Sequence, residues 1–122
     1  MPVFLLSEKK TFPPPHFARD DGLLALGGDL GRERLLSAYR SGRCPWYSPG
    51  EPILWWSPDP RLVLFPSEIR ISRSLKKTVR KDKFVITMDQ AFERVIESCA
   101  DSRLESGELT WLVPEMIEAY CD

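Results

Sequence analysis

Nine of the eleven prolines lie in two stretches, Pro13-Pro14-Pro15 and Pro45 to Pro66, and these decide where regular structure can form. Proline fixes its own φ, lacks a backbone N–H and pushes the preceding residue towards extended conformations. Phe12 to Pro15 is therefore expected as a loop or polyproline-type segment. Cys44 to Pro52 carries too many prolines for a helix or a central strand.

Between and beyond these breaks the hydrophobic pattern gives short elements. Val3 to Leu6 reads as a strand, Asp20-Asp21-Gly22 as a turn, and Leu23 to Leu26 as a buried run ending at Gly27-Gly28. A helix is expected over residues 30–41, capped by Asp29 or Gly31 and stopped by Gly42, with Leu35, Leu36 and Tyr39 as its apolar face. Ile53 to Ser57, Arg61 to Phe65 and Phe84 to Met88 read as strands. Ser72 or Ser74 can open a helix running to about Lys81. Ala91 to Cys99 is expected as a helix with Phe92, Val95, Ile96 and Cys99 on one side. Gly107 to Leu112 reads as a loop, and Pro114 suits the first turn of a last helix striped by Met116, Ile117 and Tyr120. The fold class is α+β.

The formal net charge is −1, but the total hides an asymmetry. Residues 1–69 are balanced, residues 70–83 carry seven bases against Asp82, and residues 84–122 carry nine acids against two bases. Arg73, Lys77, Arg80 and Lys81 recur at i, i+4, i+7 and i+8, one face of a helix. Leu75 and Val79 fall on the other side and are expected to face the core. Charge alone leaves two readings of the stripe open, a solvated face or a contact with a polyanion.

Other chemistry is sparse. Cys44, Cys99 and Cys121 have no C-x-x-C spacing, so neither a disulfide framework nor a zinc site is expected. Gly27-Gly28 lacks the spacing of a phosphate-binding loop. His16, the one histidine, sits beside the proline run and reads as a surface residue. No basic segment precedes an apolar run at the N-terminus, and no apolar stretch approaches the ~18 residues of a membrane span. The expectation is a soluble cytoplasmic protein with no membrane contact. Of the four tryptophans, Trp55 and Trp56 read as core. Trp46 stands in a Pro/Gly-rich loop, where function often resides.

Several strings together resemble one family. They are Gly22-Leu23-Leu24-Ala25-Leu26-Gly27-Gly28-Asp29-Leu30, then Pro45-Trp46-Tyr47-Ser48-Pro49-Gly50, then Pro52-Ile53-Leu54-Trp55-Trp56-Ser57-Pro58-Asp59-Pro60-Arg61, then Ile71-Ser72-Arg73-Ser74-Leu75-Lys76, and finally Thr110-Trp111. In order and spacing they resemble the leucyl/phenylalanyl-tRNA–protein transferases over nearly the whole chain. Two departures stand out: Gly31-Arg32-Glu33 where the family often has a serine cap, and Leu109-Thr110-Trp111 where Gly-Thr-Trp is usual.

The resemblance implies a small N-terminal α/β domain over residues 1–60. Residues 61–122 would then be the truncated start of a GNAT-like acyltransferase domain. It implies transfer of Leu or Phe from Leu-tRNA or Phe-tRNA to acceptor proteins that begin with Arg or Lys, without metal or other cofactor. It implies that Trp46 and Trp111 line a pocket for the 3′-terminal aminoacyl-adenosine. It favours contact of Arg73, Lys77, Arg80 and Lys81 with the tRNA backbone. It places no catalytic residue in this stretch, so the chain alone is expected to be inactive. A non-catalytic tRNA-binding module and a purely structural fragment are the alternatives.

Overall fold

The structure, a computed structural model, describes residues 2–122. Four strands form one mixed sheet: β1 (Phe4–Leu6), β2 (Leu23–Gly27), β3 (Cys44–Pro45) and β4 (Leu54–Trp56). Their order is β1-β2-β4-β3, with β1 parallel to β2 and the other neighbours antiparallel. Pro45 is tolerated because β3 is an edge strand, where a missing N–H costs no ladder bond. The helices are α1 (Arg32–Arg40), α2 (Arg73–Arg80), α3 (Phe92–Glu105) and α4 (Pro114–Cys121). No helix is long and apolar enough to cross a membrane among the described residues.

The core sits on one sheet face, under α1. Leu24 and Ala25 of β2, Trp55 of β4, and Leu35 and Ala38 of α1 form its buried centre. Trp55 is fully buried, and its indole N–H donates to the Gly27 carbonyl at 2.9 Å. The proline-rich loop is pinned to this centre by Phe12. That ring packs edge-on against Trp55 with centroids 4.9 Å apart. The guanidinium groups of Arg34 and Arg43 lie 5.9 and 5.8 Å from its centroid, a cation–π arrangement.

Arg34 is the anchor of this half. Its side chain is fully buried inside the first turns of α1. It donates to the Ser7 carbonyl at 2.7 Å, to the Lys9 carbonyl at 3.0 Å, and through two nitrogens to Asp29 Oδ2. Lys10 reaches the same carboxylate oxygen at 2.6 Å. Gly28 must be glycine: its φ is +78°, and a Cβ there would stand 3.1 Å from the Arg34 guanidinium carbon. The Gly27-Gly28 pair thus makes room for an arginine.

Several elements fall where the sequence puts them. Residue 31 caps α1 without a side-chain bond, while Asp29 Oδ1 accepts from the Gly31 N–H at 2.9 Å. Ser72 caps α2, its hydroxyl accepting from the Leu75 N–H. Pro114 occupies the first turn of α4.

Other expectations are corrected. Arg61 to Phe65 and Phe84 to Met88 form no strand. Neither finds a partner among the described residues, and an unpaired strand is not stable. Leu62 is 100% exposed and Ile86 92%. Leu75 and Val79 do not face the core, since every residue of α2 is exposed. Helix α3 runs to Glu105, beyond the expected end at Cys99. Of its expected apolar side only Ile96 is buried, joined by Ala100, while Phe92, Val95 and Cys99 are exposed. In α1 the inner face is Arg34, Leu35 and Ala38, and Leu36 and Tyr39 turn outward. Apolar periodicity misplaced that face because the innermost position carries a paired charge.

Removing the anchor should be costly. Arg34→Ala takes the Arg34 donors from the Ser7 and Lys9 carbonyls and from Asp29, empties a fully buried site, and is expected to lower unfolding free energy by about 3 kcal/mol in urea titration. Asp29 supplies a second test. Burial raises its pKa, but hydrogen bonds from Lys10, the Gly31 N–H and Arg34 outweigh that and hold it at about 2. A depressed carboxylate adds stability above its ordinary range, and loses it as pH falls from 3.8 through about 2. Melting temperature should drop across that window, and Asp29→Asn should flatten the drop.

Candidate functional site

Beside the edge strand the chain assembles an aromatic cluster from distant segments. The Trp46 and Trp111 rings lie 6.2 Å apart, inclined by 32°. Tyr120 of α4 meets Trp111 edge-on at 5.8 Å, and Tyr39 of α1 meets Tyr120 at 6.2 Å, their hydroxyls in contact. Burial, and then the nearby Cys44 thiol, push the Tyr39 pKa up, so its phenol keeps its proton.

The Trp46 loop is held by its neighbours. The Trp46 N–H donates to the Leu54 carbonyl at 3.0 Å, and its carbonyl accepts the Trp56 indole N–H at 2.7 Å. The turn that follows is closed by Glu51, whose carboxylate accepts the Ser48 N–H at 2.9 Å. The next residue, Tyr47, points the opposite way into a second buried cluster with Val113 and Met116. Trp111 and Tyr120 pack on that cluster. The edge strand and α4 are thereby locked together, and Trp46 is held at 58% exposure beside half-buried Trp111. A flat aromatic face open to solvent on a braced loop suits stacking against a planar base.

The basic residues stand elsewhere. Arg73, Lys77 and Arg80 lie on α2 and Lys81 caps its C-terminus, all exposed. Among the described residues none of the four forms an ion pair, and every residue of α2 is exposed. The structure thus brings Trp46 and Trp111 together across the chain, and leaves the basic stripe as a separate solvent-facing surface. His16 is exposed beside Phe17, as expected. Trp55 is core, and Trp56 is half-buried. Sequence reasoning missed Tyr39, Tyr47 and Tyr120 as partners of the cluster. Tyr39 and Tyr120 were legible only as members of helical apolar stripes, and nothing local tells which apolar position meets which.

Comparison with known proteins covers both halves. Residues 63–122 match the family model described as leucyl/phenylalanyl-tRNA protein transferase, and residues 28–59 match the model of that family's N-terminal domain. A relative from Desulforapulum autotrophicum is 63% identical over 120 residues, 98% of this chain and 52% of its own. Relatives from Desulfatibacillum aliphaticivorans and Syntrophobacter fumaroxidans are 60% and 58% identical, again over 98% of this chain and 52% and 51% of theirs. Each is named leucyl/phenylalanyl-tRNA–protein transferase. The chain spans about half the length of the curated relatives it matches.

The indole pair has a spectroscopic consequence. Two indoles this close couple their transitions, so far-ultraviolet circular dichroism should contain an exciton couplet. Trp46→Phe and Trp111→Phe should each abolish the same couplet, and the double replacement should remove no more. Additive losses would mean that the rings do not meet.

Proposed function

Because the chain belongs to the leucyl/phenylalanyl-tRNA–protein transferase family, we propose that it forms part of a cytoplasmic aminoacyltransferase. That enzyme moves Leu or Phe from aminoacyl-tRNA onto the N-terminal Arg or Lys of acceptor proteins, marking them for degradation. The observation that carries this reading is the pairing of Trp46 with Trp111 on a braced, exposed loop. In it Trp46 and Trp111 receive the terminal adenosine by stacking, worth ~1–3 kcal/mol per base. Arg73, Lys77, Arg80 and Lys81 meet tRNA phosphates, which positions the tRNA without reading its sequence.

The chemistry asks little of a cofactor. The aminoacyl ester is already activated. The acceptor's α-amine attacks the ester carbonyl, a peptide bond forms, the bond to the ribose oxygen breaks, and the amine's proton ends on the departing hydroxyl. The protein's part is alignment of amine and ester, proton removal and stabilisation of the oxyanion. This stretch contributes alignment. The groups nearest the amine are assigned to the half of the family's length that it does not span.

Residues 1–60 are read as the family's N-terminal domain, and residues 61–122 as the opening of a GNAT-like acyltransferase domain. Two features support that division. The two family models meet between residues 59 and 63. The buried centre of the sheet core, Leu24, Ala25, Leu35, Ala38 and Trp55, lies wholly within residues 1–60.

The test is transfer of labelled leucine from Leu-tRNA to a protein beginning with arginine, by the complete polypeptide. Transfer is expected, and its absence despite tRNA binding would favour a non-catalytic tRNA-binding module. Lys77→Glu with Arg80→Glu should weaken tRNA binding by about tenfold at low salt and flatten the salt slope by roughly two phosphate contacts. Unchanged affinity would remove α2 from the interface.

A further inference from the structure

Trp56 ends β4, opposite Cys44 of β3. Side chains alternate along a strand, and its neighbour Trp55 takes the core face, fully buried. Trp56 therefore stands on the other face of the sheet, half-buried. Neither buried cluster, nor the side chains packed on it, include this ring. For a tryptophan that joins no core, the informative contact is polar: its indole N–H donates to the Trp46 carbonyl at 2.7 Å.

That bond falls at a joint in the chain. The pairing of β3 with β4 ends at Pro45 and Leu54. One residue further, the Trp46 N–H still reaches the Leu54 carbonyl at 3.0 Å, but the Trp46 carbonyl is taken up by a side chain. Burial alternates across the joint: Pro45 is buried, Trp46 exposed and Tyr47 buried again. The peptide between Trp46 and Tyr47 thus decides which way both rings leave the chain. Holding its oxygen holds ψ of Trp46, and with it the direction of the exposed indole.

An indole suits this task, because it carries a single donor and no acceptor. It cannot trade donation for acceptance as a hydroxyl can. Folding needs the bond little. Trp55 already fastens β4 to the Gly27 carbonyl, and Tyr47 fastens the loop to Val113 and Met116. What remains for Trp56 to set is the attitude of Trp46, a ring 58% exposed. An exposed ring that is already oriented loses less entropy when a planar base settles on it.

We propose that Trp56 is a positioning residue for aminoacyl-tRNA: its indole N–H fixes the Trp46 carbonyl and so holds the Trp46 ring at its angle to Trp111. This assignment rests on the reading in which Trp46 stacks on the terminal adenosine. Trp56 itself touches neither the tRNA nor the acceptor, and acts through Trp46.

The experiment varies position 56 of the complete polypeptide. Trp56→Phe keeps an aromatic ring and loses the donor. Trp56→benzothienylalanine, introduced by codon suppression, keeps the indole's shape with sulfur in place of the N–H. Trp56→fluorotryptophan keeps the N–H. Both donor-free proteins should raise KM for Leu-tRNA about fivefold, and keep kcat and KM for the acceptor within about twofold of the parent. Their melting temperatures should stay close to the parent's, and the fluorotryptophan protein should keep the parent KM. Were the ring merely structural, the benzothienylalanine protein would also keep the parent KM, which overturns the assignment. A matching rise in KM for the acceptor marks general damage and overturns it too. Trp46→Ala separates the two claims. If it raises KM for Leu-tRNA while both donor-free proteins keep the parent value, Trp56 has no positioning role and the stacking of Trp46 stands. If Trp46→Ala leaves that KM unchanged, the stacking reading falls and takes the assignment of Trp56 with it. Should Trp56→Phe fail to fold, the benzothienylalanine protein carries the comparison alone.

Discussion

A single buried guanidinium organises the half of the molecule that folds tightly. Arg34 cannot reach water, so every one of its donors must be satisfied from within. It finds two carbonyls of the segment after β1 and the carboxylate of Asp29. This fixes β1 beside β2 in a parallel pairing that the short, proline-interrupted connection would not otherwise enforce. With that segment fixed, Phe12 drops between Arg34 and Arg43 and closes over Trp55. The small sheet then has a lid, although its strands are only two to five residues long. Arg43 bears a cost of the arrangement, one sealed Nε without a partner.

That stiff unit explains how an exposed tryptophan can hold a fixed position. Trp46 belongs to no long element, and a loop indole would ordinarily sample many orientations. Here its backbone is bonded on both sides to β4 and Trp56, and β4 is nailed to the core by Trp55. Tyr47 then ties the same loop to Val113 and Met116. Rigidity passes from a buried charge to a buried indole to an exposed one. Binding on such a surface loses little further entropy, which is what preorganisation means in energetic terms.

The sequence made local structure legible wherever one residue type carries a unique physical message. Pro114 marked the start of α4, Ser72 the cap of α2, Gly42 the end of α1, and the proline runs the non-helical stretches. Trp46 stood out because aromatics in proline-rich loops are rarely core, and Trp111 because of the family it resembles. Partnership was not legible. Arg34 looked like any surface charge in Arg32 to Arg40, because only the fold places Ser7, Lys9 and Asp29 around it. Tyr120 looked like a core stripe, yet it bridges Trp111 and Tyr39. The apolar runs at Arg61 to Phe65 and Phe84 to Met88 carry a strand pattern, but a strand is a relation between two segments, and the second segment is absent from the described residues. Pattern reports what a segment could do with a neighbour, and says nothing of whether the neighbour is there.

The position of α4 follows from the same contrast. The stretch from Arg61 to Ala91 is exposed throughout, and α3 buries only Ile96 and Ala100. Helix α4 nonetheless buries Met116 completely, against Tyr47 of the N-terminal half. Helix α4 is thus seated in the first half's packing. The two tryptophans come from regions matched by two different family models, residues 28–59 and 63–122. Their 6.2 Å approach is consequently a property of the seam. A substitution in the Tyr47–Val113–Met116 cluster leaves Trp46 untouched but shifts Trp111, which packs on that cluster, and so changes the angle between the two indoles.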